Sequence, residues 1–387
     1  MKKALVVGGS NGMGLAVTTL LSRKGYAVTV LDKQAPEAEL LPAACEYVPC
    51  DLRFFSQTLL ESYAADPELE LLFISAGYGR VADLEYHHIA EIDGMMQVNA
   101  VSALKILRIF YERLMKPETP FYCGIMGSIS GMLSSPMTAV YAASKAAVCR
   151  FVESVNVELE EKGTRNRILN VSPGSFAGSR FNGGQNNLSL LMGLAEQILE
   201  RVFAREELFI PEYDTVFREV LARYHADPQA FGRSSYAYKL SSGRAKNEKK
   251  VVIGYLSGTF DLFHVGHLNL LRRAKAQCDY LIVGVHESGA WKGKETYIPF
   301  EERKEVVAAC RYVDKVVQSC PEDSDAWALW HYDKLFVGSD YQGSERFNRY
   351  AAYFKDKGVE IVFFPYTKST SSTQIRNAVK TGQKTER

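Results

Sequence analysis

One stretch, residues 254–271, restricts the possible folds of this chain more than any other. It reads GYLSGTFDLFHVGHLNLL, with an apolar run ahead of Ser257 and Gly258, two histidines around a glycine, and then the apolar face of a helix. A strand, a tight turn and the start of a helix is the arrangement with which a backbone holds the phosphates of a nucleotide. The stretch therefore predicts a nucleotide site in an α/β fold.

Length and composition limit the number of domains and the class of protein. The chain has 387 residues, more than a single hydrophobic core usually supports, so we expect two domains. Hydrophobic residues make up 47% and charged residues 24%, as in ordinary soluble proteins, and the net charge of +1 argues against a nucleic-acid partner. Seven cysteines form neither a CxxC pair nor a His/Cys ligand cluster, which indicates reduced thiols and no metal site. No apolar run is long enough for a signal peptide or a membrane span, so we expect a cytoplasmic protein without a membrane partner.

The beginning of the chain repeats the strand, turn and helix pattern. A strand predicted at residues 4–7 runs into GGSNGMG, and a second strand at residues 27–31 leads into an aspartate. Glycines let the backbone approach a pyrophosphate, the helix N-terminus supplies N–H groups, and an acidic residue after the second strand can bind a ribose diol. This pattern predicts a dinucleotide site formed by Gly8, Ser10, Asn11, Gly12, Met13, Gly14 and Asp32.

Strands and helices continue to alternate over residues 1–240. Further strands are predicted at residues 45–48, 70–75, 120–126 and 167–171, with helices at residues 15–24, 89–114 and 141–161. Such alternation predicts an α/β domain with a doubly wound parallel sheet, whose site lies at the carboxyl ends of the strands.

Three polar residues near those strand ends form a candidate reaction set. Tyr141 and Lys145 are four residues apart in a helix and share one face. A nearby ammonium should lower the pKa of the tyrosine towards the range in which it exchanges a proton with a substrate oxygen. Ser128 follows a strand and can hydrogen-bond the same oxygen. An isolated Tyr–Lys pair is more often a solvated surface, but the glycine loop upstream favours catalysis.

These motifs resemble the short-chain dehydrogenase/reductase family over essentially the whole first domain. The family's TGxxxGxG corresponds to VGGSNGMG, with Val7 in place of the threonine, and its NNAG corresponds to residues 74–77. Its YxxxK corresponds to Tyr141 and Lys145, and Ser128 precedes Tyr141 by thirteen residues, the spacing that the family keeps. The resemblance implies a Rossmann-type fold and a nicotinamide cofactor.

The resemblance also implies individual roles. Tyr141 would be the acid/base, Lys145 would bind the nicotinamide ribose, and Ser128 would orient the carbonyl. Asn99, in QVNA, would hold a proton-relay water. Further cofactor contacts are implied for Asp51, Leu52, Ala76, Gly77, Pro173 and Gly174.

The preferred cofactor follows from the end of the second strand. Asp32 favours NAD(H), because a carboxylate pairs with the 2′-hydroxyl and repels a 2′-phosphate, while Lys33 beside it leaves NADP(H) open. Gly178 stands where the family usually has a threonine that binds the nicotinamide amide, so Ser179 or a backbone group would replace it.

The family pattern is lost beyond residue 181. An amphipathic helix predicted at residues 190–205 is expected to cover the substrate. Nearby cations are more typical of surface charge than of a phosphate site: Arg180, Arg201 and Arg205.

A polar tether and a second, smaller domain follow. Residues 241–250, SSGRAKNEKK, contain one alanine as their only apolar residue and predict an exposed linker. The next strands are predicted at residues 251–256, 280–285, 312–317, 334–337 and 359–364, with helices at residues 267–276 and 300–309. Residues 251–387 should therefore form a second doubly wound α/β domain.

GTFDLFHVGH resembles the HxGH nucleotidyltransferases, most closely the cytidylyltransferases of glycerol 3-phosphate and related alcohol phosphates. The resemblance covers nearly all of residues 251–380, including FEERK, GSDY, and SSTQIR in place of the family's ISTTxIK. It implies a Rossmann-like domain in which an alcohol phosphate attacks the α-phosphorus of CTP and pyrophosphate leaves, with Mg²⁺ on the triphosphate. One departure is Tyr366, which replaces an arginine of the glycerol-phosphate enzymes; Lys368 or Arg376 would supply the charge, or the acceptor differs.

The chemistry accounts for the residue types. His264 and His267 can donate to α-phosphate oxygens, and Arg303 adds positive charge. A lone histidine is more often structural, but the pair behind GTFD favours catalysis. Nucleotide contacts are implied for Thr259, Phe260, Asp261, Lys294, Asp340, Ser371, Ser372, Thr373 and Arg376.

Two enzymes in one chain suggest consecutive steps. We expect NAD(P)H to reduce a ketose phosphate, with ribulose 5-phosphate the best instance, and CTP then to convert the alditol phosphate to a CDP-alditol such as CDP-ribitol for cell-surface polymers. CDP-glycerol, CDP-mannitol and an unrelated sugar substrate for the reductase remain alternatives. A non-catalytic first domain, a nucleotide-sensing or oligomerising module, is disfavoured because Tyr141 and Lys145 are both present. Both families commonly form homo-oligomers, so the resemblance implies one here.

Overall fold

The computed structural model describes residues 2–37, 39–43, 45–117, 119–179, 181, 186–245, 251–289, 296–365 and 374–376. The chain divides into two compact units, Met1–Lys249 and Lys250–Arg387. Several predicted residues lie outside the described residues: Arg180, Lys294, Tyr366, Lys368, Ser371, Ser372 and Thr373. No helix in the described ranges combines the length and the apolar character that crossing a membrane requires.

The first unit is built on a parallel sheet. Its strands are β1 (Lys3–Val7), β2 (Ala27–Asp32), β3 (Cys45–Pro49), β4 (Leu69–Ile74), β5 (Tyr122–Met126), β6 (Ile168–Val171) and β7 (Leu208–Phe209). In the described part of the chain they form one seven-stranded sheet in the order β3-β2-β1-β4-β5-β6-β7, and every adjacent pair is parallel. The strand order reverses between β1 and β4, the position at which doubly wound sheets bind ligands.

Helices cover both faces of this sheet. They are α1 (Gly12–Arg23), α2 (Gln57–Ala65), α3 (Ile89–Met96), α4 (Ser102–Met115), α5 (Ala139–Glu161), α6 (Leu188–Ala204), α7 (Arg218–Ala226) and α8 (Pro228–Ser241). One apolar core joins the sheet to α2, α4 and α5, and the other joins it to α1 and α6. Burial of both faces explains why the central strands, such as β1 and β4, are nearly continuous apolar runs.

The second unit repeats the architecture on a smaller scale. Its elements are β8 (Ile253–Gly258), α9 (Val265–Lys275), β9 (Tyr280–Val285), α10 (Phe300–Ala308), β10 (Lys315–Gln318), α11 (Asp323–Trp330), β11 (Lys334–Gly338), α12 (Glu345–Phe354) and β12 (Glu360–Phe364). Within the described residues the strands form a five-stranded parallel sheet in the order β10-β9-β8-β11-β12. The order reverses between β8 and β11, so the stretch that follows β8 lies at a ligand-binding position. The prediction of two α/β folds with parallel sheets is confirmed.

The segment beyond residue 181 differs from the prediction. The helix expected to cover the substrate is α6, and its apolar face lies in the core beside α1, β5 and β6 rather than over the reaction edge; the buried residues are Leu191, Ala195, Ile198, Leu199 and Val202. Arg205 lies 5.2 Å from the ring of Tyr122, at the amino end of β5, and Arg201 stacks on Phe209. Both arginines are half-buried against aromatic rings, and Arg201 also pairs with Glu206 at 3.6 Å. Two further helices, α7 and α8, have no counterpart in the prediction.

Candidate functional site

The loop between β1 and α1 has no room for side chains at two of its glycines. Gly8 has a φ of +82°, and a Cβ there would lie 2.9 Å from the Cβ of Ala76. A Cβ on Gly14 would overlap the carbonyl oxygen of Gly8. Ala76 itself is fixed by its N–H, which donates to the carbonyl of Val7 at 3.1 Å. The loop is therefore a tight bend, in which the N–H of Gly12 donates to Oδ1 of Asn186 at 3.1 Å.

This crowding makes Gly14→Ala a test of the loop. The added methyl must displace the Gly8 carbonyl, so we expect dinucleotide affinity to fall at least about tenfold and the first unit to unfold at lower temperature. Gly193→Ala is the matched control, because Gly193 is an exposed position in α6 with nothing within 4 Å of the new Cβ. The control should bind normally and gain a fraction of a kcal/mol, about 0.5–1, from helix propensity. Unchanged cofactor affinity in Gly14→Ala, measured by fluorescence titration, would contradict the assignment of this loop.

Two buried hydroxyls beside the loop lack hydrogen-bond partners among the described residues. They are the Oγ atoms of Ser10 and Ser179. Ser179 lies against Gly12, where a Cβ would come within 3.2 Å of the serine Cβ. The carboxylate of Asp32 accepts from the backbone N–H groups of Ser10 at 3.1 Å and Gln34 at 3.2 Å. Unpartnered hydroxyls at a glycine-rich loop suit the pyrophosphate and amide groups of a nicotinamide dinucleotide, so the residues present fit that cofactor.

The carboxylate of Asp51 pairs with the guanidinium of Arg53. Arg53 donates to one carboxylate oxygen through Nε at 3.1 Å and to the other through Nη2 at 2.6 Å. Burial alone would raise the pKa of Asp51, but the hydrogen bonds from Arg53 hold it below its usual value. Leu52 is buried in the core beside it. The predicted adenine contact of Asp51 would therefore involve an aspartate–arginine pair rather than a free carboxylate.

The reaction set comes together at the carboxyl ends of β4 and β5. Lys145 is 3% exposed, and its Nζ donates to the carbonyl of Met126, the last residue of β5, at 2.7 Å. A Cβ on Gly77 would lie 3.3 Å from that Nζ and 3.3 Å from Oδ1 of Asn99. Ser128 is buried, and its hydroxyl donates to the oxygen of Tyr141. The structure thus brings Gly77, Asn99, Ser128, Tyr141 and Lys145 into one cluster.

The expectation that Lys145 lowers the pKa of Tyr141 is wrong. Burial raises the pKa of Tyr141 to about 12, although the hydrogen bond with Ser128 acts in the opposite direction. The ammonium is directed at Met126 and lies 5.9 Å from the centre of the tyrosine ring. Burial also lowers the pKa of Lys145 to about 8. Desolvation outweighs the i,i+4 spacing, and Tyr141 remains a protonated phenol at neutral pH.

Asn99 lies in a π-helical turn, Gln97–Val101, between α3 and α4. Its side-chain Nδ2 donates to the carbonyl of Tyr78 at 2.8 Å and to Ser144 at 3.0 Å, while its Oδ1 accepts from the N–H of Tyr78 at 3.0 Å. The amide therefore fixes the backbone that follows Gly77. Such single π turns often occur at functional sites.

Further residues, outside the predicted set, surround Tyr141 at the carboxyl ends of the strands. Tyr141 packs against Gly79, where a Cβ would be 2.9 Å from its ring, and against Phe181, 5.2 Å away between ring centres. The carbonyl of Pro173 accepts from the N–H of Ile129 at 3.1 Å, and Phe217 fills the space beside Gly174. Sequence reasoning missed Gly79; the only signal was a second glycine two residues after Gly77.

In the second unit, His264 and His267 cap the start of α9. The Nδ1 of His264 accepts from the N–H of Gly266 at 3.0 Å, and the Nδ1 of His267 accepts from the N–H of His264 at 3.3 Å. The two rings stack with centres 4.0 Å apart. An Nδ1 that accepts places the proton on Nε2, so each neutral ring presents an Nε2–H donor. Burial, with His264 beside it, lowers the pKa of His267 to about 3, and burial also lowers the pKa of His264.

The turn between β8 and α9 is strained around Asp261. Phe260 and Leu262 have φ values of +52° and +51°, which non-glycine residues rarely adopt. Asp261 is 2% exposed, and one of its oxygens accepts from the N–H groups of Tyr297 at 3.1 Å and Ile298 at 3.0 Å. Its other oxygen pairs with Arg376 at 2.8 Å. Asp261 therefore ties the turn to two distant segments of the chain.

Arg376 and Asp340 also lie at this edge. The Nε of Arg376 is buried and lacks a partner among the described residues, as expected for a group that meets a phosphate. Asp340 is exposed and its carboxylate lies beside Gly338, the last residue of β11. Both positions suit nucleotide contacts, and the roles of Arg376 and Asp340 stay predictions.

Arg303 differs from the expectation that its charge faces the phosphates. It is 1% exposed, and its guanidinium donates to four backbone carbonyls, those of Thr259, His286, Glu287 and Ile298. These hydrogen bonds use four of the five N–H groups of an arginine. Arg303 therefore acts as a positioning residue that fixes the loop after β8 and the segment after β9.

The folds and the clusters define two kinds of enzyme, an oxidoreductase in the first unit and a nucleotidyltransferase in the second. A family model described as short chain dehydrogenase matches residues 2–187, and one described as cytidylyltransferase-like matches residues 255–378. Glycerol-3-phosphate cytidylyltransferase of Bacillus subtilis is 37% identical over 134 residues, which are 34% of this chain and 97% of that protein. An uncharacterized oxidoreductase of Myxococcus xanthus is 27% identical over 183 residues, 45% of this chain and 71% of that protein.

A solved structure shows the fold of the first unit. A short chain dehydrogenase from Burkholderia cenocepacia in complex with NADP aligns with a TM-score of 0.50 and 21% identity, covering 61% of this chain and 99% of that one. The chain belongs to the cytidylyltransferase family through its second unit, and its first unit is similar to the short chain dehydrogenases over residues 2–187. It is a bifunctional enzyme, an oxidoreductase and a nucleotidyltransferase.

Proposed function

We propose that the chain makes a CDP-alditol in two steps. The first unit reduces a ketose phosphate, ribulose 5-phosphate above all, to an alditol phosphate, and the second transfers CMP from CTP to that product with release of pyrophosphate. The observation that carries the proposal is the presence of both clusters in one chain, since a carbonyl reductase produces the class of acceptor that alcohol-phosphate cytidylyltransferases use. A role in cell-surface polymer synthesis in the cytoplasm, and assembly as a homo-oligomer, belong to the same proposal.

The reduction needs a hydride, which the nicotinamide cofactor supplies when bound. The residues that would hold the cofactor are those of the loop after β1, with Asp32 at the adenosine ribose and Ser179 near the nicotinamide. Tyr141 then donates its phenolic proton to the carbonyl oxygen, and Ser128 holds that oxygen in place. Asp32 favours NAD(H), whereas Lys33 and Arg53 leave NADP(H) as the alternative.

The transfer needs no protein nucleophile. A phosphate oxygen of the alditol phosphate attacks the α-phosphorus of CTP, the bond to the β-phosphate breaks, and pyrophosphate leaves. The Nε2–H groups of His264 and His267, whose Nδ1 atoms accept backbone N–H groups, would donate to the α-phosphate oxygens as negative charge grows on them. Arg376 would meet the leaving phosphates, which carry Mg²⁺.

A coupled assay tests the proposal. Purified chain, CTP, Mg²⁺ and ribulose 5-phosphate are incubated with NADH or with NADPH, and the products are separated by chromatography and weighed by mass spectrometry. We expect CDP-ribitol only when both CTP and a reduced nicotinamide are present, and a higher rate with NADH. Dihydroxyacetone phosphate and fructose 6-phosphate replace ribulose 5-phosphate in parallel reactions, which test the CDP-glycerol and CDP-mannitol alternatives.

The same assay has outcomes that contradict the proposal. If alditol phosphates are converted to CDP-alditols when supplied directly, but no ketose phosphate is reduced, the two units do not form consecutive steps. If neither step occurs with any of these substrates, the assignment of both substrate classes fails.

A further inference from the structure

Lys239, in the final helix of the first unit, α8, contacts the segment just before α5. The Nζ of Lys239 donates to Oγ of Ser135 at 2.9 Å, to the carbonyl of Pro136 at 2.6 Å and to Oγ1 of Thr138 at 3.0 Å. These three bonds use all the donors of an ammonium group, so Lys239 holds protein atoms and has no donor left for a ligand.

The segment that Lys239 holds leads directly into α5. Thr138 is the N-cap residue of α5, and the N–H of Ala142 donates to its carbonyl at 2.8 Å. Met137 has a φ of +61°, an unfavourable value for methionine that needs support from its surroundings. Tyr141 is the third residue of α5. A shift of this helix start would therefore move the phenolic oxygen that donates the proton.

A second set of contacts joins α8 to the loop on the other side of Tyr141. Tyr236 lies with its hydroxyl 3.4 Å from a carboxylate oxygen of Asp83, and the N–H of Ala82 donates to the carbonyl of Met137 at 2.7 Å. This loop begins a few residues after Gly79, which packs against the ring of Tyr141. Gly232 of the same helix packs on Ser134. The helix α8 thus bridges the two segments that flank the catalytic tyrosine.

Burial of an ammonium group at position 239 is energetically unfavourable. Burial, with Arg244 nearby, lowers the pKa of Lys239 to about 8, so the folded chain keeps a cation where the surroundings disfavour one. An apolar side chain would avoid that cost but would leave Met137 and the start of α5 without three hydrogen bonds. The three hydrogen bonds of the ammonium therefore offset its burial and fix residues 135–138.

We propose that Lys239 is a positioning residue for the reduction: by fixing residues 135–138 it holds the start of α5, and with it Tyr141, in the reactive arrangement. The inference rests on the proposed reductase activity of the first unit. It assigns a function to α8, whose sequence lies outside the motifs that identify the family.

The test compares Lys239→Met, which keeps the length of the side chain and removes the donors, with Arg233→Met on the same helix, where the side chain is exposed. We expect Lys239→Met to lower kcat for reduction about tenfold, with a smaller change in KM, because misplacement of a reacting group affects the chemical step. Lys239→Arg should recover part of kcat. Arg233→Met should behave as the parent chain, and cytidylyl transfer by the second unit should be unchanged in all three variants.

Hydrogen exchange of the full-length chain supplies a readout that does not need reduction. In Lys239→Met the amides of residues 135–142 should exchange faster, while those of the second unit keep their rates. Unchanged exchange in this segment overturns the inference, and so does faster exchange with an unaltered kcat. If the parent chain reduces no ketose phosphate, the proposed substrate class fails independently; kcat is then measured with a carbonyl compound that the parent chain does reduce.

Discussion

Tyr141→Phe is expected to abolish reduction of the carbonyl substrate and to leave cytidylyl transfer untouched. The phenol is the proton donor of the reaction set, and general acid catalysis typically contributes roughly 10²–10⁴-fold. The loss should fall on kcat, because phenylalanine keeps the ring between Gly79 and Phe181 and so preserves the shape of the site.

The protonation state of Tyr141 supports its role as the acid. With a pKa raised to about 12 by burial, the hydroxyl is protonated throughout the neutral range and can donate without a preceding uptake of a proton. An alcohol oxidation would instead require the phenolate, which burial disfavours.

Tyr26→Phe is the matched control for this variant. Tyr26 is also a buried tyrosine, 6% exposed, but it lies before β2 at the opposite edge of the sheet, with its hydroxyl 3.4 Å from Glu70. Both variants should keep the far-ultraviolet spectrum and the thermal transition of the parent. A reduction rate in Tyr141→Phe equal to that of Tyr26→Phe would show that another group provides the proton.

Most strands of the two α/β folds could be predicted from the sequence because the central strands are buried apolar runs; the two-residue edge strand β7 was missed. The run at residues 280–285 is predicted and observed with the same limits, as β9, and other strand limits shift by a few residues. Motif spacing likewise placed Tyr141, Lys145, Ser128 and Asn99 near one another, since the carboxyl ends of parallel strands meet at one edge.

Features that depend on the partner of a side chain could not be predicted. An amphipathic pattern shows that α6 buries one face, but the sequence does not say whether that face meets the core or the substrate. The spacing of Tyr141 and Lys145 does not reveal that the ammonium bonds the carbonyl of Met126. The sequence shows that Arg303 is charged. It does not show that folding brings four backbone carbonyls around the guanidinium, which makes Arg303 a positioning residue.

The helices α7 and α8 were missed for a related reason. In the described structure α7 has no buried residue, and Gly232 is the one buried residue of α8, so neither helix shows a strong apolar face. Tertiary contacts such as those of Lys239 supply the stability that local propensity lacks.

His267 is the second site at which a single substitution should have a large effect. Its Nδ1 accepts the N–H of His264, and its Nε2–H is the predicted donor to the α-phosphate. The amide of asparagine reaches about as far as Nδ1, and that of glutamine about as far as Nε2. His267→Asn should therefore keep the cap of α9 and lose the donor, whereas His267→Gln should weaken the cap and keep a donor.

We expect His267→Asn to lower cytidylyl transfer roughly 10²–10³-fold, the usual effect of removing one preorganised donor to a developing charge. His267→Gln should retain more activity than His267→Asn, and His267→Ala should lose both the donor and the cap. His331→Asn is the control, because His331 is an exposed residue with a φ of +43°, a conformation that asparagine tolerates. Ketose phosphate reduction by the same preparations reports on the integrity of the first unit and should be unchanged.

The pH dependence of transfer separates donation by a neutral imidazole from donation by an imidazolium. Since burial lowers the pKa of His267 to about 3, its ring stays neutral throughout the neutral range, and the rate should show no loss as the pH rises through the ordinary histidine pKa near 6.5. The linked effect on stability has a definite sign. The unfolded chain takes up a proton at His267 below about 6.5 and the folded chain does not, so the second unit should become less stable as the pH falls from that value towards 3. His267→Asn removes this group from both states and should reduce the acid sensitivity of unfolding; an activity that declines as an imidazolium deprotonates would instead show that the charged ring is the donor.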